Sequence, residues 1–375
     1  MKIQNLQSCF FLFTALSILG GASVANVIPP TTVPSGQMLT INAQDTVFVG
    51  SITGNDANFF VYGSVDNYGQ INAMNGSNIH VRNVLKNYGN VFASGAFSIV
   101  NGSGSHKIFN QPTGNVVVSG YVDMYPYDSY FENAGRFSLI RSLGHEVYDY
   151  GFSWLWRGTF KNVGIVTMDR NNGGNVCGSS SKATFINEGL FEVASGTICD
   201  FGAYEYDPVV NPTVFRQTKG ETVVNGKLGS HQLDLQGGKL SGTGTVLRFP
   251  EQMWSTSLSI SPGSPTAPIG VLTLVPEVGY IIFGDGALEI GLGNAVGDSD
   301  RLQVNGEIYL VAGARVNVSL HDGFVPTLGN SFTIVSADNV GTDNFELANL
   351  NLPKLPGALR WRLDNLGTAL KLTVY

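Results

Sequence analysis

Charged residues are scarce in this sequence. Asp, Glu, Lys and Arg make up 13% of it, where a soluble globular chain usually carries about 25%. The long polar side chains that stabilise exposed helix faces are few, so a mostly helical fold is not expected. The formal net charge is -7. No Lys/Arg cluster, zinc-finger spacing or RNA-binding signature occurs, and no nucleic-acid partner is expected. His80, His106, His145, His231 and His321 are scattered without metal-ligand spacing, which argues against a zinc or His-based nucleophile site. Stretches such as "GDGALEIGLG" lack a Walker lysine and a following helix, so they do not read as phosphate cradles. Beyond the N-terminus no apolar run approaches the ~20 residues that cross a bilayer.

The N-terminus itself carries Lys2, an apolar run from Cys9 to Leu19, and small residues at Ser23 and Ala25. A short apolar core followed by small residues is the pattern of a cleaved secretory signal peptide, which assigns residues 1–25 to that role. The expected location is extracellular or cell-surface, with the periplasm as the alternative. No spanning segment is expected once the signal is removed.

What the sequence has in quantity is Gly, 47 residues, together with Asn, Ser, Thr and Val. Strand and turn formers therefore dominate. "VDNYGQINA" at 65–73 returns as "LKNYGNVFA" at 85–93, and related phrases begin at Phe109, Phe131, Phe160 and Phe185. Their anchoring residues are Asn67, Asn87, Asn110, Asn133, Asn162 and Asn187, at intervals of 20, 23, 23, 29 and 25 residues. A unit this short cannot bury its own apolar face, but stacking each unit on the next closes a continuous core. The fold expected is all-β, a right-handed parallel β-helix whose rungs lie about 4.8 Å apart. Asn side chains on successive rungs would form an amide ladder, with Phe109, Phe131, Phe160 and Phe185 stacked inside the same corner. Asn and Gly would supply positive φ at the turn. Ordinary hairpin turns in an antiparallel sandwich are the alternative, although hairpins need not keep the flanking apolar register through six copies.

Cys177 and Cys199 remain after signal removal, about one repeat apart. In an oxidising setting such a pair tends to join, and adjacent rungs would bring it within disulfide reach. Two separate thiols are the alternative. Residues 26–224 form the Asn-x-Gly repeat region. From about 225 the phrasing changes, and residues 225–375 read as a distinct module that also caps the stack, because an open solenoid end exposes strand edges.

Within that module, "SLSISPGSPTAPIGVLTL", "ALEIGLG" with "DSDRLQVNGEIYL", and "ARVNVSLHDGFVPTLGNSFTIVSA" resemble the passenger-region module of bacterial autotransporters and related large secreted β-helix proteins. The matching positions are Ser261-Pro262-Gly263, Gly270 to Leu274, Asp300 to Gly306, and Gly329 to Ile334. The resemblance covers about residues 240–375 and implies a β-helix. It leaves function open, since the fold hosts adhesins, self-associating surface proteins and enzymes. The run of alternating strands that builds a translocator barrel does not follow, so plain secretion is the expected course.

Departures from the repeat mark the candidate site. The longest interval holds "LGHEVYDYGFSWLWRG", preceded by "YVDMYPYDSYF". Aromatic faces beside carboxylates and an Arg suit sugar rings, which makes Tyr148, Tyr150, Trp154, Trp156 and Arg157 glycan-binding candidates. Alternation puts Phe152, Trp154 and Trp156 on one face. Outward they form a binding stripe, and inward they thicken the core. Glycosidic cleavage needs two carboxylates roughly 5–9 Å apart, for which Asp123, Glu146, Asp149 and Asp169 are the candidates. Asp298 and Asp300 could ligate Ca2+ or form a solvated turn; no other cofactor is expected. Asn75, Asn101 and Asn317 begin N-x-Ser sequons.

The function expected is a secreted structural or adhesive protein presenting an extended surface to a glycan, a matrix, a cell-surface component or copies of itself. A polysaccharide-active lyase or hydrolase using residues 121–170 and an inert spacer are the alternatives.

Overall fold

The computed structural model describes residues 26–27, 32–49, 57–100, 105–124, 126, 128–140, 158–169, 175–177, 183–202, 212–254, 257–293 and 298–375. Strands of mostly four to six residues, such as Ser64–Asn67, Gln70–Ala73 and Asn78–Val81, follow one another around three walls. Each strand then pairs in parallel with its counterpart one turn later. The first wall is a single fourteen-stranded sheet. The second wall consists of a nine-stranded sheet ending at Gln232–Leu235 and a four-stranded sheet beginning at Gln252–Met253. In the same coil order, the third wall has a five-stranded sheet ending at Tyr121–Met124 and a nine-stranded one beginning at Asn175–Cys177. The architecture is a parallel β-solenoid. At its C-terminal end Trp361–Asn365 and Ala369–Val374 form an antiparallel hairpin, and the latter strand runs antiparallel to Ser331–Ser336. No helix among the described residues is long and apolar enough to cross a membrane.

Alternation explains the strands. In Asn58–Val61, Phe59 and Val61 are buried while Asn58 and Phe60 are half-buried, and the same pattern recurs through most rungs. On the second wall Val65, Leu85, Ile108, Phe131, Phe160, Phe185 and Phe215 fall in one inward register column. Phe160 and Phe185 stack at 5.1 Å between centroids, and Phe185 and Phe215 at 5.3 Å. Phe109 does not join them. It directly precedes Asn110, whereas Phe131 stands two residues before Asn133, and period-two alternation turns it outward near Tyr130.

Two residues beyond that column runs the ladder. The side-chain amide of Asn67 donates to Oδ1 of Asn87 at 2.7 Å, and the chain of bonds continues through Asn110, Asn133, Asn162 and Asn187 at 2.7–2.9 Å. Asn187 then donates to Oε1 of Gln217 at 3.2 Å, a ladder residue the Asn pattern did not reveal. The second N–H of Asn110, Asn133, Asn162 and Asn187 reaches a main-chain carbonyl across the corner, as in Asn133 to Ile165 at 3.0 Å. These amides are fully or almost fully buried, so the network is what makes their burial tolerable.

The neighbouring glycines have a different reason from the one expected. Gly69, Gly89, Gly114, Gly135, Gly164 and Gly189 do not have positive φ, and neither do the ladder Asn residues. Instead, a Cβ on Gly89 would fall on the carbonyl oxygen of Gly69, and the relation repeats from Gly135 to Gly114, Gly164 to Gly135 and Gly189 to Gly164. The rungs approach too closely at this corner for any side chain. Outside it, the Tyr68 and Tyr88 rings stack at 4.5 Å.

Cys177 and Cys199 are register partners on adjacent third-wall rungs, joined by a disulfide with Cα atoms 4.5 Å apart. Both are buried. Closing a 22-residue separation removes unfolded-chain entropy equivalent to about 3 kcal/mol.

Candidate functional site on the third wall

Of the residues singled out for chemistry, Glu146, Tyr148, Asp149, Tyr150, Trp154, Trp156, Arg157 and Asn101 lie outside the described residues. Asp123 lies within them, on the outward side of Tyr121–Met124, and its register neighbours define a surface. Phe60, His80, Ser98 and Asp123 stand in one outward column, each a rung beyond the last. Asn58 and Asn78 stand beside them, as do Ala96 and Tyr121 on later rungs. Tyr62 and Arg82 extend the first two rungs on the other side.

The contacts bind this surface together. The Phe60 and His80 rings stack at 5.1 Å, and the Arg82 guanidinium sits 4.7 Å from the Tyr62 ring centroid, within cation–π range. Asn58 Oδ1 accepts from Asn78 at 2.9 Å and lies 3.2 Å from His80 Nε2. His80 Nδ1 lies 2.6 Å from Ser98 Oγ. An acceptor at Asn58 assigns the imidazole proton to Nε2, leaving Nδ1 to accept the Ser98 hydroxyl proton. Burial, and next the charge of Arg82, lower the His80 pKa, which agrees with a neutral ring. Ala96 and Ser98 are buried although alternation turns them outward, so neighbouring groups overhang them.

Asp123 differs from ordinary surface carboxyls. Burial raises its pKa from 3.8 to about 6, and its Oδ1 is buried without a hydrogen-bond partner among the described residues. A buried carboxyl lacking donors favours its protonated form. Because the folded pKa exceeds the unfolded one, the stabilisation from this group is fully present below about pH 3.8 and is lost as pH rises through about 6. Asp123→Asn should therefore flatten the fall in urea midpoint expected of the native chain across that window. Equal pH slopes in the two proteins would contradict the assignment.

The other candidates are held elsewhere. Asp169 is exposed at the end of first-wall strand Ile165–Asp169, a different wall from Asp123. Asp300 is buried, and its two carboxylate oxygens accept the backbone N–H groups of Gly270 and Gly291, each at 2.8 Å. It pins a chain crossing, and among the described residues no group of three or more His, Cys, Asp or Glu is gathered to hold a metal. Asp298 lies beside Gly293, whose Cβ position its carboxylate occupies. Asn75 is exposed in a tight turn at φ 54°. Asn317 is half-buried and donates to Glu289 at 2.8 Å.

His80, Arg82, Phe60 and Tyr62 were missed as a group by sequence reasoning. The available signal was a constant offset: Phe60 and His80 each precede a ladder Asn by the same seven residues. Chemically, this patch of the wall offers aromatic faces, the Arg82 guanidinium, a neutral imidazole and a carboxyl that changes charge near pH 6. In comparison with known proteins, the chain matches no family model, and no curated protein matches it either.

Proposed function

We propose that this chain is a secreted structural or adhesive solenoid, in line with its signal-peptide-like N-terminus and passenger-like C-terminal module. Its third wall binds an extended glycan or matrix chain by repeated shallow contacts. The observation that carries this reading is the outward set Phe60, Tyr62, His80, Arg82 and Asp123, spread over four consecutive rungs with Ser98 on the one between His80 and Asp123. Rungs about 4.8 Å apart present rings and polar groups at a period that suits a polymer. Affinity then accumulates from weak sites on a rigid support.

Polysaccharide cleavage is a second reading, favoured by one feature: a carboxyl with a pKa of about 6 is suited to general acid–base work near neutral pH. Glycan-array binding of the full chain, with sedimentation to detect self-association, tests the first reading. Arg82→Ala should weaken the retained glycans about tenfold, the scale of one lost cation contact. A monomer that retains no glycan would overturn adhesion. New reducing ends that disappear in Asp123→Asn would replace it with catalysis.

A further inference from the structure

A second surface lies on the C-terminal half of the second wall, where Gln252–Met253, Tyr280–Phe283, Glu307–Val311 and Asn339–Asp343 pair in parallel. Met253, Ile281, Phe283, Ile308, Leu310 and Val340 are buried inside, so the alternate positions face outward. There Trp254 is 50% exposed, and its ring occupies the space above Gly284, one rung on, where a Cβ would collide with it. The Tyr309 ring occupies the space above Gly341 in the same way. Each ring thus rests on bare backbone. The polar edges are also held: Trp254 Nε1 donates to Gln252 at 2.9 Å, the Tyr280 hydroxyl to Glu251 at 2.5 Å, and the Tyr309 hydroxyl to Glu307. Those carboxylate bonds are the first cause of the raised pKa of both phenols.

The charge here is mostly negative. The wall and its corners, residues 250–254, 277–286, 305–314 and 338–344, carry Glu251, Glu277, Asp285, Glu307, Asp338 and Asp343 and no Lys or Arg, while Arg315 on the neighbouring first wall reaches the Asp285 carbonyl at 3.4 Å. This contrasts with the third wall, where Arg82 provides a cation.

We propose that this wall binds a polymer of cationic amino sugars. Exposed aromatic faces take the C–H faces of pyranose rings, and both rings and carboxylates attract ammonium groups. Trp254 and Tyr309 stand two rungs apart along the axis and two register positions apart across it, about 12 Å in all, a diagonal that two to three linked sugar rings of an extended chain can span. The surface is separate from the third wall, so either proposal can fail without the other.

Titration of the full chain with a glucosamine hexamer, followed by calorimetry, tests it. Binding is expected, weakened about tenfold by Trp254→Ala, the scale of one lost aromatic contact. Glu251→Gln with Glu307→Gln keeps an acceptor for each tyrosine hydroxyl but removes the two carboxylates beside the rings. It should weaken the glucosamine hexamer and leave the neutral N-acetylglucosamine hexamer unchanged. Circular dichroism confirms that the variants fold. Absence of binding to the native chain, equal binding of the neutral hexamer, or indifference to Trp254→Ala would overturn the proposal. So would a Lys hexapeptide that binds as tightly with the same dependence on Trp254, because the site would then read charge rather than sugar.

Discussion

Asn133→Ala is expected to lower stability by about 3 kcal/mol, because it strands several buried polar groups at once, each costing about 1–3 kcal/mol before relaxation. Asn110 loses the acceptor at 2.7 Å, Asn162 loses the donor at 2.9 Å, and the Ile165 carbonyl loses a bond at 3.0 Å. Asn67→Ala should cost about 1 kcal/mol less, since Oδ1 of Asn67 has no donor to lose among the described residues. The decisive measurement is the double variant Asn110→Ala with Asn133→Ala in urea unfolding. The two residues share one bond, so the pair should cost less than the sum of the singles, as expected for contacting groups. Strict additivity would show that the amides act separately. Amide exchange adds a spatial check, because rung-to-rung stability should fall first at the broken step.

A comparable loss is expected from Phe185→Ala. Its ring lies between Phe160 at 5.1 Å and Phe215 at 5.3 Å, and also meets Phe191 and Phe201 at 4.9 and 5.5 Å. A closed stack above and below cannot collapse into the space, so the cost should reach about 3–5 kcal/mol. Phe109→Ala is the control: that side chain faces outward, and its loss should fall near 0.5 kcal/mol. Similar midpoints for the two variants would mean that the inward column does not carry the core.

The ladder was legible because Asn is costly to bury and therefore recurs only where a partner recurs; six copies of one phrase, 20 to 29 residues apart, leave few other arrangements. The disulfide was legible because its 22-residue separation matches one coil. Phe109 shows how a pattern misleads when its phase is ignored, since one residue of shift moves a side chain to the opposite face. The corner glycines show a correct residue with a different cause, close rung approach in place of positive φ.

The outward surfaces proposed to bind were less legible. Outward positions carry no apolar periodicity, and the loops between strands vary in length. Phe60 and His80 keep a fixed offset from Asn67 and Asn87, but Ser98 lies twelve residues before Asn110 and Asp123 ten before Asn133. Trp254 and Gly284 are thirty residues apart, and nothing local relates a ring to the bare backbone beneath it.

The amino-acid sequence by itself determined the coil, the inward column and the amide ladder, because burial punishes any residue that breaks the repeat. Only the stacked rungs decided which outward groups meet. That depends on how many residues each corner takes up, a quantity to which solvent-facing positions are nearly indifferent in energy.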